Sequence, residues 1–190
     1  MRPAAEWRVI DGEPATVQSL YLSYILILAA IPPIAYAIGA LVFGYSVFGF
    51  TYRPPASTVI TTAVLQYVLS LASIYVLALI VDALATSFGG RKNQVQALKV
   101  CAYSWTAAWL AGVFAVVPAL AILSIVGLYS LYLLYLGLPV LMKSPPDKAV
   151  GYVVVVILAA IVVWFLVGVI VTALVGAFGI GGPMPVPGVR

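Results

Sequence analysis

Val100–Met142 reads VCAYSWTAAWLAGVFAVVPALAILSIVGLYSLYLLYLGLPVLM, 43 residues without one charge. A helix crosses the bilayer core with about 20 apolar residues. As one helix this run would extend roughly 65 Å, about twice the hydrocarbon thickness. It therefore divides into two spans, with Pro118 and the polar Ser124 marking the hairpin between them. Three more uncharged runs surround it: Pro14–Tyr52, Pro54–Val81 and Ala149–Val189, of 39, 28 and 41 residues. The expected fold is all-α, a polytopic bundle of five transmembrane helices near 20–43, 57–86, 101–119, 122–142 and 150–175. Gly44, Ser46 and Gly49 loosen the end of the first into an outer loop.

Composition agrees. The chain is 65% hydrophobic and 7% charged, with mean hydropathy +1.19, whereas soluble domains are about a quarter charged. No polar linker divides residues 1–190, so one domain is expected. The net charge of +4 comes from few residues and points to orientation and anionic lipid rather than nucleic acid. Cys101 is the only cysteine, too few for an internal disulfide. No cleavable signal peptide is expected, because the first apolar run is too long for a signal core of about 7–15 residues.

Basic residues select the topology. With a cytoplasmic N-terminus and five spans, Arg2, Arg8, Arg91, Lys92, Lys99, Lys143 and Lys148 lie inside, against Arg53 and Arg190 outside. Leaving Val100–Met142 undivided lowers this from seven against two to six against three. The C-terminus then lies on the opposite side. Residues 1–17 read as an interfacial segment with Trp7 at headgroup depth. Phe88-Gly89-Gly90 ends the second helix in a left-handed turn, Pro145-Pro146 stops the fourth, and Asp147 suits the start of the fifth. Residues 179–190 form a Gly/Pro-rich tail that cannot be helical.

Several residues at membrane depth ask for a role. Pro32, Pro33 and Pro139 interrupt helices and free the Leu28, Ala29 and Tyr135 carbonyls. Such breaks serve packing in most helices and line sites in some transporters. Asp82 is the one acid inside a span. It either carries a proton or cation or pairs with Arg91, Lys92 or Lys99, and its nearness to that basic turn favours pairing. Arg91, Lys92, Lys99, Lys143 and Lys148 are the cytoplasmic lipid-contact set. Tyr129, Tyr132 and Tyr135 make a stripe expected to join Tyr103, Ser104 and Thr106 in an internal polar seam. Gly168, Thr172 and Gly176 form a small-residue face for close helix approach, within the bundle or with another chain.

The chain has no histidine. This removes Ser-His and Cys-His pairs and the usual zinc ligand sets. Neither a phosphate-cradling loop nor a dinucleotide fingerprint is present. No enzymatic activity, cofactor or metal is expected.

The segments Glu6-Trp7-Arg8-Val9-Ile10, Glu13-Pro14-Ala15-Thr16, Phe88-Gly89-Gly90, Ala102-Tyr103-Ser104 and Trp109-Leu110-Ala111-Gly112 carry a further signal. With Leu128–Pro139 (LYSLYLLYLGLP), Lys143 and Asp147-Lys148, they resemble the Ypt/Rab-interacting-protein (Yip) family in its short bacterial form. The Tyr-rich block ending in Gly-Leu-Pro is the specific part. The resemblance implies a five-helix bundle with a cytoplasmic N-terminus in a bacterial inner membrane, and a role in membrane organisation. Eukaryotic members bind small GTPases in vesicle traffic. Their Asp-Leu-Tyr-Gly-Pro motif does not occur here, so GTPase binding is not supported; Ala107 also replaces the proline that similar sequences place after threonine. The expected partners are lipid and another membrane protein or a second copy. The alternative is a small proton- or cation-coupled transporter or channel built on Asp82 and the Pro-kinked helices.

Overall fold

The computed structural model describes residues 3–47 and 50–177. Among these, five helices are long and apolar enough to cross a membrane: α2 Val17–Val42, α3 Ala56–Phe88, α4 Gln94–Val116, α5 Pro118–Leu141 and α6 Pro146–Ala177. A short α1, Pro3–Gly12, precedes them. The all-α architecture gains one small addition: β1 Tyr45–Val47 pairs antiparallel with β2 Phe50–Tyr52 between α2 and α3. Aromatic and β-branched residues favour that pairing, and Gly44 at φ 72° ends α2 just before it. Gly49 and the tail at 179–190 lie outside the described residues.

α2 is a broken helix. Thr16 caps it, its Oγ1 accepting from the Ser19 amide at 3.0 Å. A π-turn follows at Tyr21–Ile25, and the helix stops at Ala29-Ala30. Pro32 and Pro33 do not kink a continuous helix, as the sequence suggested. They sit in the first turn of the restarted segment Ile31–Val42, where a missing N–H costs nothing. Tyrosines from both helices bridge the interrupted stretch: Tyr67 donates to the Leu26 carbonyl at 2.9 Å and Tyr21 to Leu71 at 2.8 Å.

The far half of α2 lies against the end of α4. A Cβ on Gly39 would fall 2.6 Å from the Ala115 carbonyl oxygen, and one on Gly112 2.8 Å from Pro32 Cγ. The first obstacle is backbone and cannot swing away. Gly39→Val is therefore expected to destabilise by about 1–3 kcal/mol through overpacking. Thermal unfolding in detergent checks this, and an unchanged midpoint would refute the close approach.

The turn between α4 and α5 is the single extended residue Val117, φ −114° and ψ 114°. Proline disfavours helical backbone in the residue before it, so Pro118 places the break one position upstream and opens α5 itself. Ser124 consequently lies inside α5, not in the hairpin. α4 begins at Gln94, well before the charge-based boundary, because Asn93 Oδ1 accepts from the Gln96 amide at 3.1 Å.

On the N-terminal face two turns are stitched together. Gly89, at φ 72°, ends α3, with Gly90 N–H donating to the Ala85 carbonyl at 2.8 Å. The Arg91 amide donates to the Met142 carbonyl at 2.8 Å. A Cβ on Gly90 would meet that same oxygen at 2.6 Å. α6 then packs on α3: Tyr152 stacks on Phe88 at 4.8 Å and donates to the Val81 carbonyl.

Candidate functional site

Polar groups gather in two places, at the N-terminal face and at mid-depth. The first is an anchor for α1. Trp7 is 3% exposed. Its indole lies over Gly137, where a Cβ would come within 2.6 Å of the ring, and edge-on to Tyr103 at 6.5 Å. Trp7 thus packs on protein rather than at lipid headgroups, because Gly137 leaves a flat seat on α5. Lys99 corrects another expectation. It is 1% exposed, and its Nζ donates to the carbonyls of Ile10 at 2.8 Å and Glu13 at 2.5 Å. These carbonyls end α1, where the helix dipole favours a cation. Gln96 donates to the Asp11 carbonyl at 3.0 Å, and Lys143 pairs with the Asp11 carboxylate. Arg91, Lys92 and Lys148 remain exposed on this face.

The second place is a cavity of about 470 Å³ between α2, α3, α4 and α6. Pro32 and Pro33 from the α2 break form one wall. α3 contributes Thr62, Gln66, Ser70 and Ser73, and α4 contributes Trp105 and Trp109. Trp164, Gly168 and Thr172 of α6 close the other side. Ser70 and Ser73 donate to carbonyls of their own helix, Tyr67 at 2.7 Å and Leu69 at 2.6 Å. Among the described residues, acid and base side chains are missing from the lining.

Asp82 does not reach this cavity. Its Oδ1 is occluded without a hydrogen-bond partner, and none of Arg91, Lys92 or Lys99 pairs with it. The expected tyrosine seam does not form either. Tyr129, Tyr132 and Tyr135 are 46%, 48% and 45% exposed. α5 instead turns Ser130, Leu134, Gly137, Leu138 and Leu141 inward, since small Ser130 and Gly137 let neighbours approach. The seam with α4 is made by Ser130, whose Oγ accepts from the Ala108 amide at 2.9 Å. Tyr103 packs edge-on against Tyr24 at 4.8 Å, and Tyr24 shares a 2.6 Å hydrogen bond with Thr106. Ser104 is fully buried with its Oγ unpartnered. Gly168 and Gly176 face open space, and Thr172 donates to the Gly168 carbonyl at 2.8 Å.

Sequence reasoning missed Ser130, Trp109 and the polar face of α3. A signal for that face existed: Thr62, Gln66, Ser70 and Ser73 follow spacings of four, four and three, one side of a helix.

No curated protein and no solved structure matches the chain. The Yip1 domain pattern does, over residues 1–167, which takes in α1, the anchor beneath it and most of the cavity wall. With five apolar helices arranged around these features, this integral membrane protein belongs to the Yip1 domain family.

Proposed function

We propose that this chain is a non-enzymatic membrane-organising protein that packs with a second copy of itself through α6. It sits in a bacterial inner membrane with α1 in the cytoplasm, where Arg91, Lys92 and Lys148 meet anionic lipid. The observation that carries the reading is the uncovered small-residue face of α6. Among the described residues, a Cβ at Gly168 or Gly176 meets nothing within 4 Å. Along residues 161–177 only Val171 is buried. In lipid, small residues four apart allow close helix contact, and that packing drives association. The transporter reading is the weaker one, because Asp82 is walled off from the cavity and its Oδ1 is occluded.

The double variant Gly168→Ile, Gly176→Ile tests this. Added bulk at either position meets no neighbour among the described residues, so helix content and unfolding midpoint should hold. Energy transfer between differently labelled copies in liposomes should fall several-fold relative to the parent chain. Equal transfer in both, or none in the parent, would exclude self-association through this face.

A further inference from the structure

We infer that the cavity between α2, α3, α4 and α6 is a binding site for an uncharged amphiphile of the bilayer, with an apolar body and a hydroxyl or carbonyl head.

Volume and lining define the class. The wall is mostly prolines, tryptophans, Tyr36 and aliphatic side chains, with polar side chains concentrated on α3, so it suits an apolar body better than water. A volume of about 470 Å³ falls in the range of small-molecule sites, roughly 300–1,000 Å³. Among the described residues the lining carries no charged side chain, so an ionised head would enter without a counter-charge, at high cost. A neutral head meets specific groups. The Gln66 amide has no hydrogen-bond partner among the described residues and offers donors and an acceptor. Ser70 and Ser73 have spent their protons on their own helix and keep lone pairs free. Trp109 is 4% exposed, and its indole N–H, a donor only, has no hydrogen-bond partner among the described residues. The α2 break adds to the pattern: irregular backbone at membrane depth is tolerated where it is buried or lines a cavity.

Entry is from lipid. Gly168 and Thr172 belong to the wall and are also exposed on the outer surface of α6. The head-binding groups lie on α3 and α4, so the site does not rest on self-association, although Gly168 and Thr172 are common to both surfaces.

The test uses the full chain in mild detergent micelles and the fluorescence of Trp105, Trp109 and Trp164. The probe is 11-bromoundecanol, whose bromine quenches tryptophan on contact; 11-bromoundecanoate is the charged control. The alcohol should quench saturably and the carboxylate only in proportion to its micellar mole fraction. Gln66→Leu should raise the half-saturation by about five- to tenfold, the worth of one hydrogen bond. Ser73→Phe, which fills the cavity, should abolish saturation while cooperative unfolding persists. Should that variant not fold, Ser70→Leu takes its place. Quenching by the alcohol that never saturates, or that is identical in parent, Gln66→Leu and the filled variant, overturns the site. Saturation by the carboxylate at equal strength overturns the neutral-head assignment.

Discussion

Trp7→Ala detaches the N-terminal helix from the bundle. Trp7 is the only buried residue of α1. Loss of a buried tryptophan costs about 3–5 kcal/mol, and its edge-on contact with Tyr103 adds about 0.5–1.5 kcal/mol. Of the rest of α1 only Ile10 packs, partly buried, against the core, so the helix keeps that contact and its polar ties. Those ties run to Lys99, Gln96 and Lys143. Trypsin cleavage after Arg8 should accelerate by at least an order of magnitude, and the unfolding midpoint should fall. Gly137→Leu should reproduce the effect from the opposite side, since even a Cβ there meets the indole at 2.6 Å. Cleavage at the parental rate in both variants would show that Trp7 does not hold α1.

Lys99→Met is the second large effect. Methionine keeps most of the apolar stem but offers no donor, leaving the Ile10 and Glu13 carbonyls without the charge-assisted bonds they accept. Each such bond is worth about 1.5–3 kcal/mol. The loss has a ceiling, because α1 can lift away and let water reach both carbonyls. The total cost therefore cannot exceed the docking energy of α1. This makes Trp7→Ala and Lys99→Met non-additive: whichever comes first undocks the helix, and the second then removes little. A double-mutant cycle on unfolding free energy should return a coupling of at least about 1 kcal/mol, the scale seen for residues in one network. Strict additivity would mean that Lys99 stabilises something other than the end of α1.

Both effects fall on residues whose roles were misplaced in the sequence. Lys99 stands among Arg91, Lys92, Lys143 and Lys148 and reads as one more basic residue at a membrane surface. Its burial follows from α1 folding back over α4, a contact between residues 86 and 89 positions apart. Trp7 reads as an interfacial aromatic for the same reason. The tyrosine stripe of α5 failed differently. Spacing correctly places Tyr129, Tyr132 and Tyr135 close together, and the Tyr129 and Tyr132 rings are 5.5 Å apart. It does not say which way the stripe faces.

What the sequence alone determined is local and dimensional. Bilayer thickness imposes a span length, so the uncharged runs count five helices. Gly89 and Pro118 fix two of the turns through backbone sterics that need no neighbour. The tertiary structure alone decided which helix faces turn inward, where Lys99 finds its acceptors, and that a broken α2 leaves a cavity beside Gln66. The reason is that lipid removes the usual contrast. In water an apolar stripe marks the core, whereas in a bilayer both sides of a helix are apolar and close packing of small residues makes the choice.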